Sequence, residues 1–218
     1  MNVHFSSQLL ELFAGSRSIG KVADKLGFQT LSTDIEPFDG IDYVTDILNF
    51  DYQKIPFVPD VIWASPPCTG FSVASIGKHW NHDHTPKTDT ARLGIQLVKK
   101  TLAIIEHYKQ LNPNLIWFVE NPRGKLRKLN LVGGVRHTVT YCQYGDERMK
   151  PTDIWTNSGW QPRPMCKNGD TCHISAPRGS KTGTQGRAGA FERSKIPEEL
   201  CREIMETILN PVKRGNHE

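Results

Sequence analysis

The chain has 218 residues, 37% hydrophobic and 23% charged, with a formal net charge of +4. This is the composition of a folded globular domain, not of a disordered or low-complexity chain, and the mild positive charge permits a polyanionic partner without demanding one. No stretch approaches the ~18 apolar residues of a membrane span. The chain opens with no basic segment leading into a long apolar run, and five scattered cysteines do not make a disulfide framework. The expectation is therefore a cytoplasmic, intracellular protein.

The apolar run from Gln8 to Phe13 predicts a first strand, stopped by Ala14-Gly15-Ser16. A helical pattern runs from Ile19 to Leu26 and stops at Gly27; a second strand, Gln29 to Thr33, ends at Asp34. This strand, glycine turn, helix and strand open a dinucleotide-type α/β unit. A third strand end comes at Val44-Thr45-Asp46, and a fourth strand, Val61 to Ala64, runs into Ser65-Pro66-Pro67-Cys68. Residues 77–89 are rich in His, Asn, Asp and Lys and read as a mobile loop or a solvated connection. From Thr90 to Gln110 the spacing of Leu97, Thr101, Ile104, Ile105 and Tyr108 predicts a helix, stopped by Asn112-Pro113. Leu115 to Val119 is the next buried strand and leads into Glu120-Asn121-Pro122; strands follow at Val135 to Tyr141 and Asp153 to Thr156. Residues 158–195 form a short, basic, loop-rich insertion, and 197–209 an amphipathic closing helix. The alternation implies an α/β fold with a mainly parallel sheet covered on both faces. Ligands sit at the carboxyl ends of such strands, where Gly15, Asp34, Asp46, Cys68 and Glu120 fall.

Several of these residues carry chemistry. Two prolines keep the segment before Cys68 extended and display its thiol at a strand end, as a nucleophile requires; an inert buried cysteine is the alternative. Glu120 can supply a carboxylic acid to the same cleft, or simply bond the backbone of the following turn. A thiolate beside an acid suits attack on an electron-poor ring that is protonated as it is attacked. The turn Phe13-Ala14-Gly15-Ser16 offers backbone N–H groups at a helix start. Asp34 fits a ribose-binding carboxylate or a loop cap, and Asp46 with Ile47 fits an adenine amino group or a cap. Cys166-x5-Cys172-His173, with Cys142 nearest as a fourth ligand, is either a zinc site stabilising an insertion without a core, or a set of free thiols.

In order along the chain, Glu11-Leu12-Phe13-Ala14-Gly15, Asp34, Asp46, Ser65 to Ser72, Phe118-Val119-Glu120-Asn121-Pro122 and Tyr144-Gly145 through Arg148 and Lys150 resemble the motifs of the cytosine C5 methyltransferase family. The resemblance implies a Rossmann-like class I S-adenosylmethionine-dependent methyltransferase fold. Residues 1–157 would be the catalytic and cofactor-binding domain, 158–195 a reduced target-recognition region, and 196–218 a helix packing back. It further implies that Phe13, Ala14, Gly15, Ser16, Asp34, Ile35, Asp46, Ile47 and Pro66 bind S-adenosylmethionine, and that Cys68 attacks C6 of cytosine while Glu120 binds the ring. Arg148 or Lys150 would bind the cytosine carbonyl or hold Glu120, with a phosphate contact or a plain surface charge as the alternatives. The implied substrate is double-stranded DNA, with RNA or a free nucleotide as the alternative, and a silent nucleic-acid-binding protein as another.

The chain departs from the family in three places. Ser16-Arg17-Ser18 replaces further glycines, so Arg17 could meet a carboxylate, a phosphate or solvent. Arg148-Met149-Lys150-Pro151 stands where the family has Gln-x-Arg-x-Arg. The insertion is short; its cations Arg163, Lys167, Arg178, Lys181, Arg187, Arg193 and Lys195 suit phosphate contacts, and a second group at Arg123, Lys125, Arg127 and Lys128 either extends that track or is a solvated helix face. The expectation is a relaxed or very short sequence preference, with a partner protein supplying any further specificity.

Overall fold

The computed structural model describes residues 7–73, 76–174 and 189–210. Seven strands form one sheet: β1 (Gln8–Leu12), β2 (Gln29–Asp34), β3 (Tyr43–Val44), β4 (Val61–Ala64), β5 (Ile116–Pro122), β6 (Val135–Thr140) and β7 (Pro151–Thr156). Their spatial order is β3-β2-β1-β4-β5-β7-β6. The pairs among β1 to β5 are parallel, whereas β7 is antiparallel to both its neighbours. The sheet is thus mainly parallel, as the strand–helix alternation implies, with one reversed strand inserted beside β5. This is the Rossmann-like class I methyltransferase fold.

Burial on both faces explains the composition of the central strands. In β4, Val61, Ile62, Trp63 and Ala64 are all buried, and alternate residues enter two separate cores. One core receives Leu10, Leu12, Ile62, Ala64, Trp117 and Val119 and is covered by α3 (Asp89–Leu111) through Ala91, Leu97, Val98, Ile104 and Ile105. The other receives Leu9, Val61, Trp63, Phe118 and Ile154 and is covered by α1 (Ser18–Lys25) and α5 (Glu198–Leu209). Ile19, Val22 and Ala23 give α1 its apolar stripe, while Lys21, Asp24 and Lys25 stay exposed. Thr88 caps α3 by accepting the Ala91 N–H. No helix among the described residues is long and apolar enough to cross a membrane.

The expectation for residues 77–89 needs correction. The stretch contains α2 (Ile76–His79) and a bridge between Trp80 and Pro86. His79 and Trp80 are buried, Trp80 stacks on Phe71, and its Nε1–H donates to the Gly70 carbonyl at 2.6 Å. Aromatic burial therefore ties down a segment whose polar composition reads as loop. Within the insertion, residues 175–188, with Arg178, Lys181 and Arg187, lie outside the described residues. A short helix, α4 (Ala190–Ser194), precedes α5.

Candidate active site

The loop after β1 sets the floor of the site. Phe13, Gly15 and Arg17 all take left-handed backbone conformations, with φ of 56°, 50° and 54°. For the two non-glycine residues such φ values are uncommon and cost energy that their surroundings must offset. Those surroundings are visible: the Ala14 N–H donates to the Thr33 carbonyl, and the Gly15 N–H donates to Asp34 Oδ2 at 2.8 Å. The helix that follows is capped from the strand. Buried Glu11 accepts the Ile19 and Gly20 N–H groups at 3.2 and 3.1 Å. Sequence reasoning treated Glu11 only as part of the motif; its place in an apolar strand is the signal that it has a buried task.

Arg17 does not reach toward a ligand. Its guanidinium donates to Thr30 Oγ1 and Asp24 Oδ2, at 2.8 and 3.1 Å, on the flank of α1. Ser16 Oγ lies 2.8 Å from Ser18 Oγ.

Above this turn lies a cavity of about 320 Å³ lined by Phe13, Asp34, Ile35, Asp46 and Ile47 from the strand ends, Pro67 and Thr69 from the cysteine loop, and Thr90, Leu93, Gly94 and Leu97 from α3. Ile35 and Leu93 are 63% and 46% exposed, so the cavity offers solvent-facing apolar surface beside two carboxylates. That combination suits a ligand with an apolar aromatic body and hydroxyl groups. Each carboxylate also orders its own loop, since Asp34 Oδ1 accepts the Glu36 N–H and Asp46 Oδ1 the Leu48 N–H. Capping and ligand-facing are therefore compatible at both. Ala14, Gly15, Ser16 and Pro66 do not line the cavity. The α3 contribution was missed, although Gly94 inside a helix is a signal: a Cβ there would lie 3.0 Å from the Phe71 ring.

Cys68 follows directly on this wall. The Phe71 and Ser72 N–H groups donate to its carbonyl at 2.9 Å, closing a tight turn. The side-chain amide of Asn121 donates to the Pro66 carbonyl at 2.8 Å. Asn121 thus fixes the proline segment from β5, a role sequence reasoning did not assign. Beside it on β5, Glu120 is buried and accepts hydrogen bonds from Ser65 and from Tyr141, the latter at 3.3 Å. Ser65 Oγ in turn accepts the indole N–H of Trp63.

The electrostatics link three groups. Burial pushes the Cys68 thiol up, the Glu120 charge adds to that, and Lys150 pulls it down. Burial likewise raises Glu120, which Lys150 and its hydrogen bonds oppose. Burial lowers Lys150, which Glu120 and Cys68 oppose. The site therefore holds a thiol, a carboxyl pushed toward its protonated form, and an ammonium whose charge opposes both shifts.

Of the two expected cations, only Lys150 belongs to this group. Arg148 is buried and binds Asp146 through several N–H groups; others donate to the carbonyls of Arg193 and Lys195, at 3.2 and 3.1 Å. It clamps the returning chain before α5 and is not directed at Glu120. The Lys150 ammonium donates to the Arg193 carbonyl at 2.9 Å, so α4 closes over this side of the site.

The expected nucleic-acid tracks are smaller than composition implies. Arg127 forms a forked pair with buried Asp153, and Lys125 is buried, with Nζ 2.8 Å from His84 Nδ1. Arg163 pairs with Glu199 and Glu203 on α5. Internal partners hold these cations, whereas Arg123, Lys128 and Lys167 are exposed. Cys142, Cys166, Cys172 and His173 do come together, with one ligand atom of each within 4.8 Å of the others.

No family model matches the chain. It is 29% identical over 222 residues to the "Probable DNA (cytosine-5)-methyltransferase" of Frog virus 3 (isolate Goorha), a match covering 91% of this chain and 99% of that protein. Among solved structures, a mutant of Spodoptera frugiperda DNMT2 is 18% identical, with a TM-score of 0.45, over 72% of this chain and 53% of its own. The Entamoeba histolytica methyltransferase EhMeth is 14% identical, with a TM-score of 0.50, over 72% and 55%. The chain thus matches about half the length of these two proteins, and the second shares its fold.

Proposed function

We propose that this chain, a relative of the cytosine C5 methyltransferases, is a DNA (cytosine-5-)-methyltransferase. The observation that carries this reading is the convergence of Cys68, Glu120 and Lys150 at the carboxyl ends of the strands, beside a cavity with Asp34 and Asp46 on its wall.

S-adenosylmethionine fits that cavity: Ile35, Leu93 and Pro67 offer an apolar flank for the adenine, and Asp34 and Asp46 offer acceptors for hydroxyl and amino groups. When bound it supplies the methyl group that C5 takes up. The protein's own residues prepare the base. The Cys68 thiolate forms a bond to C6 while Glu120 delivers a proton to N3, so the electron pair displaced from the C5–C6 bond makes C5 nucleophilic. After methylation the C5 proton leaves to solvent, the C5–C6 double bond re-forms, the C6–S bond breaks to return the thiolate, and N3 gives its proton back to Glu120. Lys150 holds negative charge on Cys68 and Glu120 in check throughout.

A base inside a duplex cannot present its C6 face to a thiol, so the reading requires the cytosine to be flipped out. The short insertion supports a relaxed or very short sequence preference, with a partner protein supplying further specificity. Nucleoside mass spectrometry on duplex DNA incubated with protein and S-adenosylmethionine tests the proposal. 5-Methyldeoxycytidine in the duplex supports it, and its loss in Cys68→Ser assigns the nucleophile. Product only in RNA or free nucleotide would keep the chemistry and overturn the substrate.

A further inference from the structure

We propose that Cys142, Cys166, Cys172 and His173 bind a zinc ion that ties the insertion to the turn after β6. Cys142 Sγ lies 3.1 Å from Cys166 Sγ and 3.7 Å from Cys172 Sγ. His173 Nδ1 lies 3.7 Å from Cys166 Sγ and 3.6 Å from Cys172 Sγ. Four ligands on a tetrahedral zinc with Zn–S bonds of about 2.3 Å stand roughly 3.5–3.8 Å from one another. Three of these four distances match that spacing, the Cys142–Cys166 pair is shorter, all four ligand atoms lie within 4.8 Å of one another, and three thiolates with one imidazole is a closed structural donor set. The shortest sulfur pair is still more than an ångström longer than the ~2.0 Å of a disulfide.

The fold supplies a reason for a metal here. Between Gln161 and Ile174 there is no helix or strand, and Cys166 is the only residue in the buried class. Such a segment cannot be held by apolar burial, and a metal substitutes for the missing core. Polar contacts orient the cluster: the Cys166 N–H donates to Thr140 Oγ1 at 3.0 Å, Gln143 Nε2 donates to Cys172 Sγ at 3.4 Å, and the Ile174 N–H donates to the Glu147 carbonyl at 3.0 Å. Cys142 sits on the 3-10 turn Tyr141–Tyr144, next to the tyrosine that donates to Glu120. The metal therefore anchors the insertion at a point one residue from the active-site scaffold. Binding is not a redox step: three thiols release their protons to solvent as the thiolates take up Zn2+.

The test is the metal content of the full chain purified in the presence of reductant and without chelator. The proposal predicts about one zinc per chain, a marked loss in Cys166→Ser and in His173→Ala, and unchanged content in Cys68→Ser. Because a ligand variant can fail to fold, Co2+ reconstitution of the metal-stripped wild type gives an independent readout. Tetrahedral thiolate coordination predicts intense visible d–d bands and a sulfur-to-cobalt charge-transfer band, both removed by one equivalent of Zn2+. Folded protein without zinc that takes up neither metal would overturn the proposal. So would a Cys142–Cys166 disulfide found by peptide mass mapping of the native chain.

Discussion

Asn121 on β5 holds the Pro66 segment that follows β4: its side-chain amide donates to the Pro66 carbonyl at 2.8 Å, and both lie two residues or fewer from the proposed catalytic pair of Glu120 and Cys68. Together with the Ser65–Glu120 hydrogen bond, this buried contact ties the strand that carries the acid to the loop that carries the thiol. Asn121→Ala leaves the Pro66 carbonyl without this donor, at a cost of about 1–3 kcal/mol. We expect a lowered thermal midpoint and a larger proportional loss in kcat than in S-adenosylmethionine affinity. An unchanged kcat would show that the loop is positioned by other contacts.

Lys150 lowers both Cys68 and Glu120, so its removal moves both the same way. Turnover needs an ionised thiol, which gives the rising limb of a pH profile, and a protonated Glu120, which gives the falling limb. In Lys150→Met both groups titrate at higher pH, and the whole kcat/KM profile shifts to the alkaline side. A drop in rate with no shift would assign Lys150 to substrate contact alone.

Glu11 is fully buried, and burial pushes its carboxyl up to about 8 despite the Ile19 and Gly20 N–H donors and nearby Arg17. A raised carboxyl binds its proton more tightly in the folded state than in the unfolded chain. Its contribution to stability is therefore present at low pH and is lost as pH rises from the ordinary carboxylate range through about 8. In Glu11→Gln this pH dependence disappears, while an amide NH2 in place of one carboxylate oxygen faces one of the two N–H donors and costs about 1–3 kcal/mol. Thermal midpoints of the two proteins from pH 5 to 9 should draw closer as pH rises; parallel curves would contradict the assignment.

Arg148 bridges Asp146 to the backbone before α5. Arg148→Ala removes the guanidinium from the largely buried Asp146 carboxylate and from the backbone carbonyls before α5, which breaks a buried pair at about 3–5 kcal/mol. Limited proteolysis should then cut at residues 189–197 first. Arg148→Lys should rescue poorly, because one ammonium cannot replace a guanidinium fork. Cleavage no faster than wild type would mean that α5 holds the segment unaided.

The sequence order of strands and helices was readable because each burial pattern is local: Val61 to Ala64 is apolar on both faces, and the α3 stripe repeats at helical spacing. The reversal of β7 was not, since its place between β5 and β6 is a choice among pairings far apart in the chain. Cys68, Glu120 and the Asp34 and Asp46 wall were legible as polar residues at strand ends. What escaped was the destination of long side chains. Arg17, Arg127 and Arg148 look like free cations in sequence, yet each is consumed by a carboxylate: Asp24 and Asp146 are close along the chain, and buried Asp153 is brought to Arg127 only by the fold. Trp80 and His79 sit in a polar stretch that reads as loop because two buried rings do not make a pattern.

The central claim is a covalent bond between Cys68 and C6 of a cytosine, and the most direct test is to trap it. A duplex carrying 5-fluorodeoxycytidine accepts the methyl group but has no C5 proton to lose, so the adduct cannot collapse. Intact mass spectrometry with S-adenosylmethionine present should show protein plus oligonucleotide, and peptide mapping should place the link on Cys68. Adduct formation that persists in Cys68→Ser, or complete failure to trap with duplexes covering every cytosine context, would contradict the account.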